Sequence, residues 1–113
     1  MMKFDIAYYF RAKNKYQSIP WRGYKTKTPG LVVHRPAKCA GGDVVSDTRG
    51  WTISHLASGH ELRSGTFIET KKRALRVAKE LGGLADWTQD SSAISNNRDL
   101  YLATNKILAG HVY

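Results

Sequence analysis

The chain begins with an alternation of apolar and polar positions that predicts a β-strand. The apolar positions on one side of an extended backbone are Phe4, Ile6, Tyr8 and Phe10. A period of two residues, built from aromatic and β-branched side chains, is typical of a strand with one buried face. We therefore predict a strand over residues 1–11 with these apolar side chains in the core. Residues 12–30 interrupt the alternation with prolines and glycines among polar residues, and this pattern predicts a long basic, aromatic loop.

Short apolar runs between residues 31 and 68 predict further strands. LVVH at 31–34 is one such run, and the paired valines at 44–45 form a brief second one. A tryptophan-led segment then predicts a hairpin with its turn at Ser58-Gly59 and with Trp51, Ile53 and His55 on one face. Residues 37–50 predict a turn-rich connection around the paired valines.

Two later segments have helical spacing. In residues 70–81, Thr70 is a suitable N-cap and a glycine pair ends the helix. Its predicted apolar stripe consists of Ala74, Val77, Ala78 and Leu81. A second helix is predicted at about residues 98–109, capped by Asn96 or Asn97. Its predicted stripe consists of Leu100, Tyr101, Ala103, Thr104, Ile107 and Leu108. Leu84 and Trp87 are predicted to join the core between the helices.

The order of these elements predicts the fold class. Strands come first and helices follow, which favours an α+β fold with a small antiparallel sheet of three to five strands packed by one or two C-terminal helices. A chain of 113 residues has the size of one domain, so we expect residues 1–113 to form a single unit.

The charge is uneven along the chain. The whole chain has a formal net charge of +9, and residues 1–30 hold seven Lys and Arg against one acid, Asp5. The same thirty residues hold seven of the twelve aromatic residues. A cationic surface of this kind attracts nucleic acid, an acidic protein face or an anionic membrane. The chain has no apolar run long enough to span a membrane and begins with no apolar signal segment, so we expect a cytoplasmic protein and no membrane partner.

Two groups of residues are therefore candidates for binding. The predicted loop offers cations for phosphates and aromatic faces for unpaired bases. Its candidates are Lys13, Lys15, Tyr16, Trp21, Arg22, Tyr24, Lys25 and Lys27. The predicted first helix offers a basic outer face with Lys71, Lys72, Arg73, Arg76 and Lys79. The alternatives are that Trp21 and Tyr24 pack against the core edge, and that the helix cations form only a solvated face. The helix face gains significance if it shares a surface with the loop.

The pattern around the single cysteine leaves a metal or catalytic site as a minor alternative. His34, Cys39, His55 and His60 have the spacing H-x4-C-x15-H-x4-H, which contains zinc ligands but differs in type from a two-Cys, two-His finger. Cys39 could also act as a nucleophile beside His34 or His55. Neither arrangement is demanded by the spacing, so we expect no enzyme, no metal and no cofactor. One cysteine cannot form an internal disulfide, which fits a reducing compartment.

One resemblance concerns DNA recognition. The passage GWTISHLASGHELRSGTFIETKKRALRVAKEL, residues 50–81, resembles the arm-type DNA-binding domains of phage integrases and the related AP2-like domains. In that family a three-stranded sheet enters the major groove and a helix packs behind it. The resemblance implies DNA contacts at outward-facing residues of the strands. These positions are Arg49, Thr52, Ser54 and Arg63. The chain departs from that pattern in its long N-terminal extension and its second helix.

A second resemblance concerns inhibitors of host machines. The passage HLASGHELRSGTFIETKKRALRVAKELGGLADWT, residues 55–88, is similar to small stand-alone proteins encoded by actinobacterial phages and mobile elements. Such proteins include inhibitors of CRISPR nucleases. The resemblance implies a stoichiometric inhibitor or modulator that binds a host nucleoprotein complex or an acidic protein surface. The alternative is a DNA- or RNA-binding accessory protein or regulator. The sequence predicts no particular oligomeric state.

Overall fold

The computed structural model describes residues 2–11, 13–62, 67–89 and 98–110, which form six β-strands and two α-helices. In chain order these are β1 (Met2–Phe10), β2 (Lys15–Lys25), β3 (Leu31–His34), β4 (Ala37–Ala40), β5 (Asp43–Ser46), β6 (Thr52–His55), α1 (Lys71–Leu81) and α2 (Arg98–Ala109). Four strands form an antiparallel sheet in the order β1-β2-β3-β6, and β4 pairs with β5 separately. The predicted α+β fold is confirmed. Neither described helix has the length and apolar character needed to cross a membrane.

Residues 12–30 are not the long loop that was predicted, because most of this segment is strand β2. β2 pairs with β1 from Gly23 opposite Met2 to Lys15 opposite Phe10. Among the described residues, β2 pairs with β3 only at Tyr24 and Lys25. Pro20 therefore lies where β2 behaves as an edge strand, and an edge strand tolerates proline because the missing N–H is not needed there.

The sheet curls until its two edges meet. The Ala7 N–H on β1 donates to the Gly59 carbonyl in the turn after β6, at 2.9 Å. Inside the curl, the ring of Phe4 lies 5.2 Å from the ring of His34. The curl also explains Gly23, where an added Cβ would come within 2.7 Å of the Val32 side chain. Four side chains of β1 were predicted to lie in the core. Ile6 is buried, whereas Phe4, Tyr8 and Phe10 are only half-buried.

The main core lies between the other face of the sheet and the helices. The buried stripe of α1 consists of Ala74, Val77, Ala78 and Leu81, as predicted. It packs against Leu31, Val33 and Ile53 of the sheet, together with Ile68, Trp87, Leu100 and Leu108. Trp87 is 2% exposed and its indole N–H donates to the Leu81 carbonyl at 2.8 Å.

Three details of the predicted core and hairpin differ. Leu84 is 38% exposed and Tyr101 is 61% exposed, so neither joins the core. Leu84 lies in a turn in which its N–H donates to the Leu81 carbonyl at 3.0 Å, and the next buried residue along the chain is Trp87. The hairpin after β6 returns through isolated bridges of Ser54 with Glu61 and Trp51 with Ile68, without a regular strand among the described residues. The predicted caps at 96–97 lie outside the described residues.

Helix α1 begins at a capping residue whose contribution can be measured. The Thr70 hydroxyl accepts the Arg73 N–H at 3.1 Å. We expect Thr70→Ala to lower the free energy of unfolding by about 1 kcal/mol, because one helix N–H loses its partner. Urea unfolding followed by circular dichroism measures this change, and Thr70→Ser is the control because it keeps the hydroxyl. Equal stability of the alanine and serine variants would contradict the capping role.

Candidate functional site

The predicted binding residues of the N-terminal segment separate into two groups. Lys13, Lys15 and Tyr16 lie at the tip of the β1-β2 hairpin, whereas Lys25 and Lys27 lie at and beyond the other end of β2. Ten residue steps along a strand span about 33 Å. The longest dimension of the molecule is 39 Å. The two groups therefore cannot contribute to one small site.

The hairpin tip has exposed aromatic and cationic side chains. Tyr16 is 58% exposed, and its ring lies 5.2 Å from the Tyr9 ring and 5.0 Å from the His60 ring. The Tyr9 hydroxyl donates to the side-chain oxygen of Asn14, which occupies the turn with a φ of 51°. Asn is one of the few residues other than glycine that adopts this conformation readily. These contacts order the aromatic side chains of the tip.

The other group joins the basic face of α1. A groove of about 400 Å³ is lined by Lys25, Thr26, Lys27, Leu75, Arg76 and Lys79, and we call it the basic groove. Lys72 stands one turn before Arg76 on the same side of α1 and extends the row of cations. Arg73 is exposed on a neighbouring face of the helix. The structure thus brings together cations from the two predicted groups, which the sequence alone could not establish.

Buried hydrogen bonds fix the two walls of the basic groove relative to each other. The buried Thr28 hydroxyl donates to the Ala78 carbonyl of α1 at 2.6 Å. The Thr26 hydroxyl accepts the Thr28 N–H at 3.1 Å, which holds the intervening turn. Thr26 and Thr28 lie on either side of Lys27, and Ala78 precedes Lys79 in α1. These hydrogen bonds therefore fix the backbone that carries both cations before any ligand binds.

Gly30 completes this turn. Its φ is +94°, a conformation that glycine adopts without steric cost. A Cβ at this position would lie 2.2 Å from the carbonyl oxygen of Trp87. The Gly30 carbonyl in turn accepts the Leu56 N–H at 2.8 Å. The segment after β2 is therefore packed directly on the segment that follows α1.

The basic groove has no acidic partner in its lining. Among the described residues, no Asp or Glu lines it. Asp86 lies in the adjoining cleft, which Lys27 and Lys79 also line. The side-chain and backbone hydrogen bonds from Thr88 lower the pKa of Asp86 below its ordinary value. Like charges gathered in one groove repel one another, and a polyanion relieves this repulsion.

An aromatic pocket lies beside the basic groove. It has a volume of about 470 Å³ and is lined by Pro20, Trp21, Arg22, Tyr24, Arg35, Ser46 and Trp51. The Trp21 indole N–H donates to the Arg35 carbonyl at 2.9 Å. The centres of the Tyr24 and Trp51 rings are 5.9 Å apart, and the Lys71 ammonium lies 4.1 Å from the centre of the Tyr24 ring. Trp21 and Tyr24 are therefore half-buried at the core edge, which was the alternative to a freely exposed loop.

Arg35 and Trp51 were not predicted as site residues. The Arg35 guanidinium lies 4.0 Å from the centre of a Trp51 ring. It also donates to the Thr48 carbonyl at 3.0 Å and to the Gly50 carbonyl at 3.2 Å. These partners are distant in sequence from Trp21 and Tyr24, so no local pattern links them. The guanidinium is held in place by contacts within the protein.

The residues of the alternative zinc or cysteine site do not come together. Among the described residues, no three His, Cys, Asp or Glu are placed to hold one metal ion. Cys39 is exposed on β4, and His60 is exposed beside Tyr16. The His55 Nε2–H donates to the carbonyls of Trp87 and Gln89, at 2.9 Å each. His55 therefore links the end of β6 to the segment after α1.

His34 is buried and has both ring nitrogens bonded. Its Nδ1–H donates to the Arg35 carbonyl at 2.7 Å, so the neutral ring accepts the Ser54 hydroxyl at Nε2, also at 2.7 Å. Burial lowers the pKa of His34 to about 4, although the bond to the Arg35 carbonyl acts in the opposite direction. The imidazole is therefore neutral at physiological pH, and its bond to Ser54 links β3 to β6 inside the curled sheet.

Two of the four positions implied by the integrase resemblance are buried and cannot contact DNA. Thr52 and Ser54 are buried inside the curl and do not face outward as expected, and the Ser54 hydroxyl bonds the buried ring of His34. Arg49 forms an ion pair with Asp47, with 2.7 Å between Nη2 and Oδ2, and the hydrogen bonds from Arg49 lower the pKa of Asp47 to about 2. Arg63 lies outside the described residues. Comparisons with family models, curated proteins and solved structures found no match to this chain.

Proposed function

We propose that this chain is a non-enzymatic binding protein that engages nucleic acid, free or within a host nucleoprotein, through the basic groove. One observation supports this proposal above the others. Lys25 and Lys27 from the sheet line the same groove as Arg76 and Lys79 from the helix. Two basic segments that are separate in sequence thus present their charges to one ligand.

The chemistry of the basic groove suits a phosphate backbone. Lys and Arg side chains that neutralise phosphates release condensed counterions, and this release drives sequence-independent binding. With Lys72 the groove and its extension offer five cations on a prearranged backbone. Their contacts would be to phosphates, which are the same for every base, so we expect tolerance of sequence.

The arrangement of the candidate nucleophile and histidines supports a binding role over an enzymatic one. Cysteine catalysis needs a base within hydrogen-bonding reach of the thiol. Cys39 is exposed on β4, whereas the ring nitrogens of His34 bond Arg35 and Ser54 inside the curled sheet. The proposed setting is the cytoplasm, where nucleic acid and its enzymes are accessible.

The hairpin tip favours a second candidate function, a stoichiometric inhibitor or modulator of a CRISPR-like nucleoprotein. Lys15 and Tyr16 form an exposed surface about 33 Å along β2 from the basic groove. A protein that grips an assembly of RNA and protein benefits from two separate contact surfaces. A basic inhibitor would contact nucleic acid or an acidic face of such a complex, because a mimic of DNA would be acidic.

The proposal is tested by fluorescence anisotropy with labelled single-stranded DNA, duplex DNA and a structured RNA over a salt series. Five phosphate contacts predict a slope of log K on log salt of about −3.5 for a single strand and about −4.5 for duplex. A peptide nucleic acid of the same sequence is the matched control, because it has bases and no phosphates. We expect it not to bind.

The outcomes separate the candidate functions. Binding to free oligonucleotide with a steep slope supports the nucleic-acid proposal. Binding to an assembled nucleoprotein alone, with inhibition complete at an equimolar ratio, supports the inhibitor. Absence of binding to every oligonucleotide near physiological salt would overturn the role of the basic groove as a site for free nucleic acid.

A further inference from the structure

We infer that the aromatic pocket receives one unpaired base of a single-stranded nucleic acid whose phosphates lie in the basic groove. This inference rests on the proposed function and adds to it the class of ligand. The pocket volume of about 470 Å³ is within the range of about 300–1,000 Å³ that is typical of small-molecule sites. Its lining combines flat aromatic rings with two guanidinium groups.

The side chains of the aromatic pocket are held in position before a ligand enters. The Arg35 guanidinium stacks 4.0 Å from Trp51 and donates to the Thr48 and Gly50 carbonyls. The indole of Trp21 is fixed by its bond to the Arg35 carbonyl. Unpaired bases stack on aromatic rings and on arginine planes of this kind. Because these groups are already ordered, little side-chain entropy is lost on binding.

The pocket and the basic groove are neighbours. Tyr24 of β2 lines the pocket, and Lys25, the next residue of the same strand, lines the groove. Lys71 on α1 contacts the Tyr24 ring, and Leu75, one turn later on the same side of α1, lines the groove. Arg22 adds an exposed cation at the pocket. A strand whose backbone follows the groove therefore has a base within reach of the pocket.

The arrangement favours a single strand over a duplex. A paired base is stacked on both faces and offers only its edges in the grooves, so it cannot enter an aromatic pocket without being unpaired. Two of the strand positions that would read a duplex by the integrase pattern, Thr52 and Ser54, are buried. The cations of the basic groove and the rings of the aromatic pocket suit phosphates and unpaired bases.

The test compares three labelled ligands of equal length and equal salt: oligo-dT of twelve nucleotides, the same oligomer with abasic sites in place of the thymidines, and a duplex. The abasic oligomer keeps the phosphates and removes the bases. Stacking of one base predicts that wild type binds oligo-dT about tenfold more tightly than the abasic oligomer. Oligo-dT should also quench tryptophan emission, because Trp21 and Trp51 line the pocket whereas Trp87 is 2% exposed.

A variant locates the preference. Trp21→Leu should bind oligo-dT and the abasic oligomer equally, with abasic binding unchanged from wild type. Tyr101→Leu is the matched control, since Tyr101 is an exposed aromatic residue on α2, and it should keep the tenfold preference. If Trp21→Leu does not fold, the comparison of ligands with wild type and the quenching experiment still decide the result.

The results distinguish the inference from the proposed function. Equal binding of oligo-dT and the abasic oligomer by wild type, or tightest binding to the duplex, would overturn the base pocket and leave the phosphate-binding groove supported. Loss of the preference in Tyr101→Leu, with retention in Trp21→Leu, would place the base elsewhere and overturn the inference. Failure to bind any of the three ligands would overturn the role of the basic groove as a site for free DNA, and the inference with it.

Discussion

Replacing Lys25, Lys27 and Arg76 together with glutamate should weaken binding to single-stranded nucleic acid by about 100-fold or more at physiological salt. All three side chains are exposed in the basic groove, so each replacement removes one phosphate contact and adds a repulsive charge. The slope of log K on log salt should become about two units less steep, because each lost contact removes about 0.7. Anisotropy titrations over a salt series measure both quantities.

The matched control changes the same amount of charge at the other end of β2. Arg11, Lys13 and Lys15 are exposed around the hairpin tip, and their replacement by glutamate alters the net charge by the same six units. We expect this variant to keep most of the affinity for free single strands. Equal loss in the two variants would show that net charge alone governs binding. Circular dichroism and thermal unfolding should show that both variants keep the fold.

Acidification from about pH 6.5 to about pH 4 should lower the free energy of unfolding by about 3 kcal/mol through His34. Burial lowers the folded-state pKa of this histidine from 6.5 to about 4. Between these values the unfolded chain binds a proton at this position and the native protein does not, so stability decreases as the pH falls. The protein has its full stability with respect to His34 above about pH 6.5. Each unit of difference between the unfolded-state and folded-state pKa corresponds to about 1.4 kcal/mol.

Urea unfolding at a series of pH values measures this dependence, and proton NMR of the His34 ring measures its pKa directly. His34→Gln should make the free energy of unfolding nearly independent of pH between pH 6.5 and pH 4. His60→Gln, at an exposed position, should show the same pH dependence as wild type. The carboxyl groups of Asp47 and Asp86 have lowered pKa values, so the stability they provide is lost at lower pH. Titration of the His34 ring near pH 6.5 in the folded protein would contradict the prediction.

Local patterns were sufficient to predict the helices. The buried stripe and N-cap of α1 and the span of α2 follow from a spacing that repeats within a few residues. The short strand β3 and the brief strand at residues 43–46 were also predicted from short apolar runs. The class of the fold followed from the order of these elements along the chain.

Strand β2 was missed because Pro20 and Gly23 interrupt the pattern that marks a strand. Their presence is explained by tertiary geometry: Pro20 lies at an edge, and Gly23 lies where the curled sheet brings Val32 too close for a Cβ. The candidate site was also only partly predicted, because local sequence patterns do not show which distant residues meet in the folded chain. The cations of the basic groove were named from composition, but their convergence arises from tertiary packing, in which the Thr28 hydroxyl bonds the Ala78 carbonyl of α1. Arg35 and Trp51 reach the aromatic pocket from other parts of the chain, so no local pattern identified them.

Strand β2 has a further consequence as a ruler. One continuous backbone joins the cations of the hairpin tip to those of the basic groove, and its pairing with β1 stiffens most of the distance between them. The separation of the two surfaces is therefore set by the number of residues in a strand, and no interdomain hinge is needed to maintain it. A partner that touches both ends must present complementary charges about 33 Å apart. Under the proposed function, the spacing of the two surfaces is therefore a criterion for partner selection in addition to charge.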